Sequence, residues 1–202
     1  MDNQVFPTPE DEAGWELLWA PYDESTYREV LKEIEPGESV LEIGAGDLRL
    51  ARRLARVCRQ VVAVEIQTGL VERAIAQGEI NPKNLHVICG DALTVPLPPG
   101  LTAAVLLMRH CRRFRLYADR LKAVGCRRLI TNARWRMGVE TIDLQAARLL
   151  YAELELGWYA CWCGTAGFKS GPEEKLTEAV SMTVQEVIAC PKCHFQIGLK
   201  VI

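Results

Sequence analysis

The chain has 202 residues, 49% of them apolar and 25% charged, with a formal net charge of −2. That is enough chain for one well-packed core, which excludes a disordered protein and a two-domain enzyme of ordinary size. No stretch approaches the roughly 18 consecutive apolar residues of a bilayer span, so no membrane partner is expected.

Charge is segregated along the chain. Residues 1–47 hold thirteen Asp/Glu against two Lys/Arg, whereas residues 109–136 hold nine Arg and one Lys against a single Asp. The basic stretch suits an anionic partner, RNA included, and is equally the composition of a solvated helix face. The opening MDNQVFPTPEDEAGWELL is acidic where a leader peptide is basic, so the expected setting is a reducing cytoplasm. Trp15, Trp19 and Tyr22 then form either a lid over a ligand or an arm packed on the core.

Residues 24–34, ESTYREVLKEI, carry the period of an amphipathic helix, stopped by Pro36-Gly37. From Ser39 onward short apolar runs alternate with helical segments: SVLEIGA and LRLARRLARVC, QVVAVEI and GLVERAIAQG, NLHVICGD, AAVLLM and RRFRLYADRLKAVG, RRLITNA and ETIDLQAARLLYAEL. Runs as continuous as VVAVEI and AVLLM suit parallel strands covered on both faces. The pattern predicts an α/β fold, a Rossmann-like, doubly wound, mostly parallel sheet of seven strands over residues 1–157. Residues 158–202 are rich in β-branched and aromatic residues separated by turns, which predicts a C-terminal antiparallel β extension. Nothing in the pattern sets an oligomeric state.

The sharpest local signal is VLEIGAGD, residues 40–47: a buried strand ending in Gly44-x-Gly46 and running into a helix over residues 48–59. Glycines there let a ligand touch the backbone, although a tight strand-to-helix turn has the same signature. Two carboxylates add weight. Glu65 ends the next strand, where it can accept both hydroxyls of a ribose, and Asp91 follows the third strand, where it can accept from an exocyclic amine. A dinucleotide site would want a third glycine where Arg49 stands, so NAD and FAD fit poorly.

Over residues 38–133 the chain resembles the class I S-adenosylmethionine-dependent methyltransferases. Their first motif, roughly E-x-G-x-G-x-G, is matched by Glu42, Gly44 and Gly46, with Leu48 in its last position. VLEIGAG, VVAVEIQTGLVE and NLHVICGDALTVPLP are most similar to the ribosomal-RNA adenine dimethyltransferases. The resemblance implies that Gly44 and Gly46 flank the methionine moiety and Glu65 holds the ribose. It places Ile66 on the adenine and Asp91 with Ala92 at the adenine edge.

The fourth strand departs from that pattern. Where the resemblance implies Asn/Asp-Pro-Pro-aromatic or Asn-Leu-Pro-Tyr, the chain has Met108-Arg109-His110-Cys111. His110 is the candidate proton acceptor at that edge and Arg109 the candidate orienter of an anionic or carbonyl-bearing substrate; both also read as ordinary turn residues. Cys111 would be a nucleophile only with a depressed pKa. His86 reads as a core or surface side chain, and the alternation Arg134-Trp135-Arg136 could stack a base or simply close the core. These residues leave two readings, a methyltransferase acting on RNA or a small molecule, and a non-catalytic S-adenosylmethionine- or RNA-binding protein of the same fold.

Of eight cysteines, Cys58, Cys89, Cys111 and Cys126 stand singly and read as buried small hydrophobes. Cys190-Pro191-Lys192-Cys193 has zinc-knuckle spacing, and Cys161-x-Cys163 supplies two further ligands, with His194 as a substitute. The expectation is a structural zinc remote from the cofactor; reduced unliganded thiols are the other reading. A thioredoxin-like pair is disfavoured, because CPKC does not open a helix.

Overall fold

The computed structural model of the protein describes residues 22–76, 82–109, 111–136 and 138–193. Trp15, Trp19, His110 and His194, singled out above, lie outside them. The leading helix α1 (Glu24–Lys32) begins at Asp23, whose carboxylate accepts from the Thr26 N–H at 2.8 Å, and it buries Tyr27 and Val30. Five parallel strands follow, β1 (Ser39–Ile43), β2 (Gln60–Glu65), β3 (Leu85–Cys89), β4 (Ala103–Leu106) and β5 (Arg128–Thr131). Helices α2 (Arg49–Leu54), α3 (Thr68–Ala76) and α4 (Phe114–Ala123) lie in their connections.

Every residue of β1 and β4 is buried, as strands covered on both faces must be. Leu50, Ala51 and Leu54 of α2 and Ala74 of α3 join α1 over one face. Phe114, Tyr117 and Leu121 of α4 cover the other, together with Ala92 and Leu101 from the connection between β3 and β4. The doubly wound fold is therefore present, with strand order β3-β2-β1-β4-β5-β6. Order reverses between β1 and β4, and the crevice outside the carboxyl ends of strands at such a reversal is where these folds bind ligands.

The structure corrects the sequence reading after β5. The described part of this sheet has six strands rather than seven, and its last, β6 (Glu140–Asp143), runs antiparallel to β5. The segment ETIDLQAARLLYAEL is therefore not helical. Asp143 stops β6 by accepting the N–H groups of Gln145 and Ala146 at 2.8 and 3.2 Å, a local turn that competes with helix formation. From there the chain leaves the first sheet. β7 (Leu149–Leu150), β8 (Gly157–Cys161), β9 (Ala166–Lys169) and β10 (Val184–Ile188) pair with one another in the order β7-β10-β8-β9.

This second sheet is mixed rather than antiparallel. β8 and β9 form a hairpin, but β10 runs parallel to both β7 and β8. The connection over residues 170–183, with a 3-10 turn (Glu173–Lys175) and α5 (Glu178–Met182), is long enough to carry the chain back to the starting edge, as a parallel pairing requires.

One buried side chain joins the two sheets. Arg134, just past β5, has a fully buried guanidinium that donates to both oxygens of Glu140 on β6 at 3.0 and 2.9 Å. It also donates to both oxygens of Glu186 on β10 at 3.0 and 2.5 Å. Burial opposes its charge, but the hydrogen bonds from the two carboxylates outweigh that and hold it above its ordinary pKa. Arg134→Met should cost about 3 kcal/mol in urea unfolding, because Glu140 loses its charged partner and Glu186 keeps only Arg148, at 3.5 Å. Arg134→Lys should recover little of it, since an ammonium cannot serve four oxygens in a planar fork. Wild-type stability in either variant would show that the pairs contribute nothing net.

Candidate functional site

The chain turns sharply out of β1. Gly44 and Gly46 have φ of +74° and +54°, values that glycine adopts without penalty. The Gly44 and Ala45 N–H groups both donate to the Val64 carbonyl on β2, at 2.8 and 3.1 Å, which draws the turn toward the second strand. There Glu65 is buried and held from two sides: one oxygen accepts from the Gly46 N–H and the other from the Gln67 N–H, each at 2.8 Å. Each oxygen keeps a free lone pair for a hydroxyl. Asp91, after β3, accepts from the Leu93 N–H at 2.9 Å, with Arg113 3.5 Å from its other oxygen. Ala92 is buried behind it, and Ile66 lies 63% exposed beside Glu65.

Glu42 is the penultimate residue of β1 and is buried, and its Oε2 has no hydrogen-bond partner among the described residues. Burial, reinforced by the charges of Asp47 and Glu65, holds its carboxyl well above the usual carboxylate range. The edge thus gathers three carboxylates around one glycine turn. Residues 42, 44, 46, 65, 66, 91 and 92, scattered over fifty positions of sequence, all come to the carboxyl ends of β1, β2 and β3.

Across the crevice, Met108 follows β4, and any side chain at position 44 would meet its methyl group at 3.5 Å. Arg109 is tied to the segment before α1: its N–H donates to the Tyr22 hydroxyl at 3.3 Å and its guanidinium lies 5.1 Å from the Tyr22 ring centre. Tyr22 therefore reaches the crevice. Burial raises the Cys111 thiol pKa, the direction opposite to that of an activated nucleophile. Asn132, after β5, is fully buried with neither side-chain amide atom bonded among the described residues, and the sequence reading missed it. An amide closing the apolar strand RLIT was the available signal.

Much of the basic stretch is committed to structure. Arg120 donates to the Leu93 and Val95 carbonyls, Arg128 pairs with Glu38 at 2.8 Å, and Arg134 is buried between two carboxylates rather than lying free at a substrate mouth. Arg109, Arg112, Arg113, Arg115, Arg127 and Arg136 are exposed, Arg113 and Arg115 within 3.5 Å of Asp91 and Asp119.

The cysteines separate as the spacing suggests, except that Cys89 is exposed rather than buried. Cys161, Cys163, Cys190 and Cys193 are all buried, and their sulfurs lie within 4.8 Å of one another. The Cys161–Cys193, Cys163–Cys190 and Cys190–Cys193 sulfurs are 3.6, 3.6 and 3.8 Å apart, too far for disulfides. A tetrahedral zinc with bonds near 2.3 Å sets its sulfurs about 3.8 Å apart, so this constellation fits such an ion. Hydrogen bonding within the cluster, from Cys161 first, holds the Cys163 thiol pKa below its ordinary value. The cluster is not remote from the sheet edge: Cys163 lines a cleft shared with Cys111, Ala133 and Trp135. Trp162, between two of the cysteines, donates to Asp119 of α4 at 2.6 Å.

A doubly wound sheet with this turn and these carboxylates at its reversal defines the class I methyltransferase type of fold. The family described as ribosomal RNA adenine dimethylase matches residues 22–122, half of the chain, and the chain belongs to that family. It is 41% identical over 64 residues to an rRNA methyltransferase of Streptomyces thermotolerans, covering 32% of this chain and 21% of that protein. It is 42% identical over 69 residues to a probable ribosomal RNA small subunit methyltransferase A of Methanosarcina acetivorans, 34% of this chain and 25% of that one. A protein-L-isoaspartate O-methyltransferase 2 of Rhodopseudomonas palustris is 39% identical over 75 residues, 37% and 35% of the two chains. The matched stretch thus spans between a fifth and about a third of these relatives' length. Among solved structures, a 23S rRNA methyltransferase shares 28% identity at a TM-score of 0.48, covering 55% of this chain and 46% of its own.

The buried acid gives a signed pH test. With the Glu42 pKa raised in the folded state, the native chain holds a proton that the unfolded chain releases, and stability is lost as pH rises through the raised value. Glu42→Gln should match the wild type near about pH 4 and melt increasingly higher than it toward about pH 8, each 1 kcal/mol reading as about 2–4 °C. Parallel melting curves for the two proteins across that range would refute the assignment.

Proposed function

We propose that the protein is an S-adenosylmethionine-dependent methyltransferase acting on RNA. The observation that carries this reading is the glycine-floored crevice at the β1/β4 reversal, where Glu65 and Asp91 present acceptor oxygens and the Oε2 of Glu42, without a hydrogen-bond partner among the described residues, is open to a polar group of a ligand. The cofactor is a nucleoside with two ribose hydroxyls, an ammonium and a sulfonium, and the residues present fit it. Gly44 and Gly46 would flank its methionine part, Glu65 its ribose, Ile66 its adenine face, and Asp91 with Ala92 the adenine edge. When bound it supplies a methyl group activated as an electrophile. The chain's own task is then to aim a nucleophile and take up its proton. Arg109, positioned by Tyr22, orients the acceptor in this reading, and His110 beside it takes the proton.

RNA as the acceptor is supported by the names of the rRNA-directed relatives and by the exposed Arg112 and Arg136. Among the described residues no helix is long and apolar enough to cross a membrane. The four-cysteine cluster holds a structural zinc, and residues 158–202 form the metal-bearing part of the chain. A thiolate site of this kind belongs in a reducing compartment, which favours the cytoplasm.

S-adenosylhomocysteine should raise the melting temperature of the protein while NAD leaves it unchanged. Glu65→Gln, which removes a charged hydrogen-bond acceptor, should weaken that binding by about tenfold or more. Transfer of radiolabelled methyl groups to ribosomal RNA tests the reaction itself; a pocket that binds the product without transfer to RNA would reassign the acceptor.

Elemental analysis should find about one zinc per chain, with Zn–S distances near 2.3 Å by X-ray absorption. Cys190→Ser should release the ion and loosen the second sheet, because a small sheet relies on metal–thiolate bonds for part of its folding free energy. A metal-free protein with the same hydrogen-exchange protection in both forms would refute the zinc.

A further inference from the structure

Between the end of β5 and the second sheet lies a cleft of about 540 Å³, a size at which small ligands are bound. One wall is the turn carrying Trp135 and Arg136; the other is Trp158 of β8 with the chain from Gly164 to Gly167, and Arg112 stands at its rim. Both glycines back tightly onto other side chains. An added methyl group would lie 3.0 Å from Phe114 at Gly164 and 2.9 Å from the Tyr159 hydroxyl at Gly167. At those two positions the wall carries no side chain, and the Gly164 N–H is taken by the Cys161 carbonyl at 2.9 Å, which holds the turn in place.

The aromatic groups form one cluster. Trp135 and Trp158 meet edge to face, with ring centres 5.3 Å apart, and Phe168 extends the row from Trp158 at 5.1 Å. Arg136 lies 4.9 and 5.7 Å from the centres of the two indoles and is exposed to solvent. Its φ of +47° is strained for a residue with a side chain, a cost that persists only where surrounding structure enforces it. The acids nearest in the fold, Glu140 and Glu186, are already engaged by Arg134, so Arg112 and Arg136 leave the rim positive.

The cleft also opens at the cofactor edge. Cys111, at its near end, donates its N–H to the Met108 carbonyl at 3.2 Å, and Met108 stands over Gly44. Except for Cys111 and Arg112, its lining lies beyond residues 22–122, so the family match does not account for it.

We propose that this cleft receives an unpaired base of the acceptor RNA, stacked on the Trp135–Trp158 cluster with its phosphate against Arg112 and Arg136. The assignment rests on the RNA-methyltransferase reading and specifies where that reading's substrate sits. A flat ring matches the indole faces and a phosphate matches the two guanidinium groups. In a duplex the base faces are covered by stacking, so the ligand must be single-stranded.

The test titrates the full-length protein with a single-stranded oligoadenylate RNA and with the same strand paired to oligouridylate, following tryptophan fluorescence and anisotropy. S-adenosylhomocysteine binding is measured in parallel. The single strand should quench tryptophan emission and bind at least about tenfold more tightly than the duplex. Trp158→Leu and Arg136→Gly should each weaken it by about fivefold or more, the loss of one stacking partner, and leave S-adenosylhomocysteine affinity unchanged. Arg136→Gly should not lower the melting temperature, since glycine relaxes the strained φ, which separates lost binding from lost folding.

Equal affinity for duplex and single strand, or unchanged RNA affinity in both variants, would overturn the proposal. No RNA binding by a wild-type protein that binds S-adenosylhomocysteine would overturn it too and leave the cofactor reading standing. The expected RNA results without S-adenosylhomocysteine binding would support the cleft and defeat the cofactor reading.

Discussion

The arrangement of this protein depends on one buried guanidinium. Arg134 stands at the end of a parallel strand and is gripped on two edges, by Glu140 of the same sheet and Glu186 of the other. Such a fork is specific because a planar cation with fixed N–H directions accepts only one placement of two carboxylates. It fixes the crossing of the sheets, and with it the next two residues, Trp135 and Arg136, whose positions make the cleft. A hydrophobic contact of equal area would join the sheets without setting their register so narrowly. The Trp162–Asp119 hydrogen bond and the Arg148 guanidinium, 4.0 Å from the Trp162 ring centre, add a second fastening on the α4 side.

Around that joint the electrostatics divide in two. The crevice over β1 and β2 is acidic, with Glu42, Asp47 and Glu65 close enough to raise the proton affinity of the most buried of them. A buried carboxyl oxygen without a partner is a cost that a folded chain carries where a bound cation or donor can offset it. The rim beyond β4 and β5 is basic and aromatic. The two regions are neighbouring but distinct, and Met108 separates the glycine turn from the cleft.

The second sheet shows how a small β element is made to hold its shape. Its strands are short, Leu149 and Leu150 are exposed, and its buried cluster is built largely of the four cysteines with Leu154, Tyr159 and Val187. So little apolar surface does not fix chain ends by itself. The sulfurs converge from two turns 27 to 32 residues apart, beside the wall of the cleft.

The alternation of buried strands and amphipathic helices was legible because it is written in local periodicity. The turn at Gly44 and Gly46 was legible because its backbone conformation demands those residues. Glu65 and Asp91 followed, since each sits at the end of its own strand. The four cysteines were legible as a group by composition, and their convergence needed only that two neighbouring β segments pair. Beyond β5 local signals ran out: residues 140–154 carry a spacing compatible with a helix, and the turn at Asp143 together with the Arg134–Glu140 pair decides for a strand. The parallel return of β10, the union of Arg134 with a carboxylate 52 positions away, and the meeting of Trp135 with Trp158 are equally unreadable from the chain. Up to β5 the sequence alone determined which elements form and which residues end each strand, because backbone preference and side-chain period act between neighbours. Which elements face one another was decided by long-range packing and charge pairing, whose partners exist only once the chain has closed on itself.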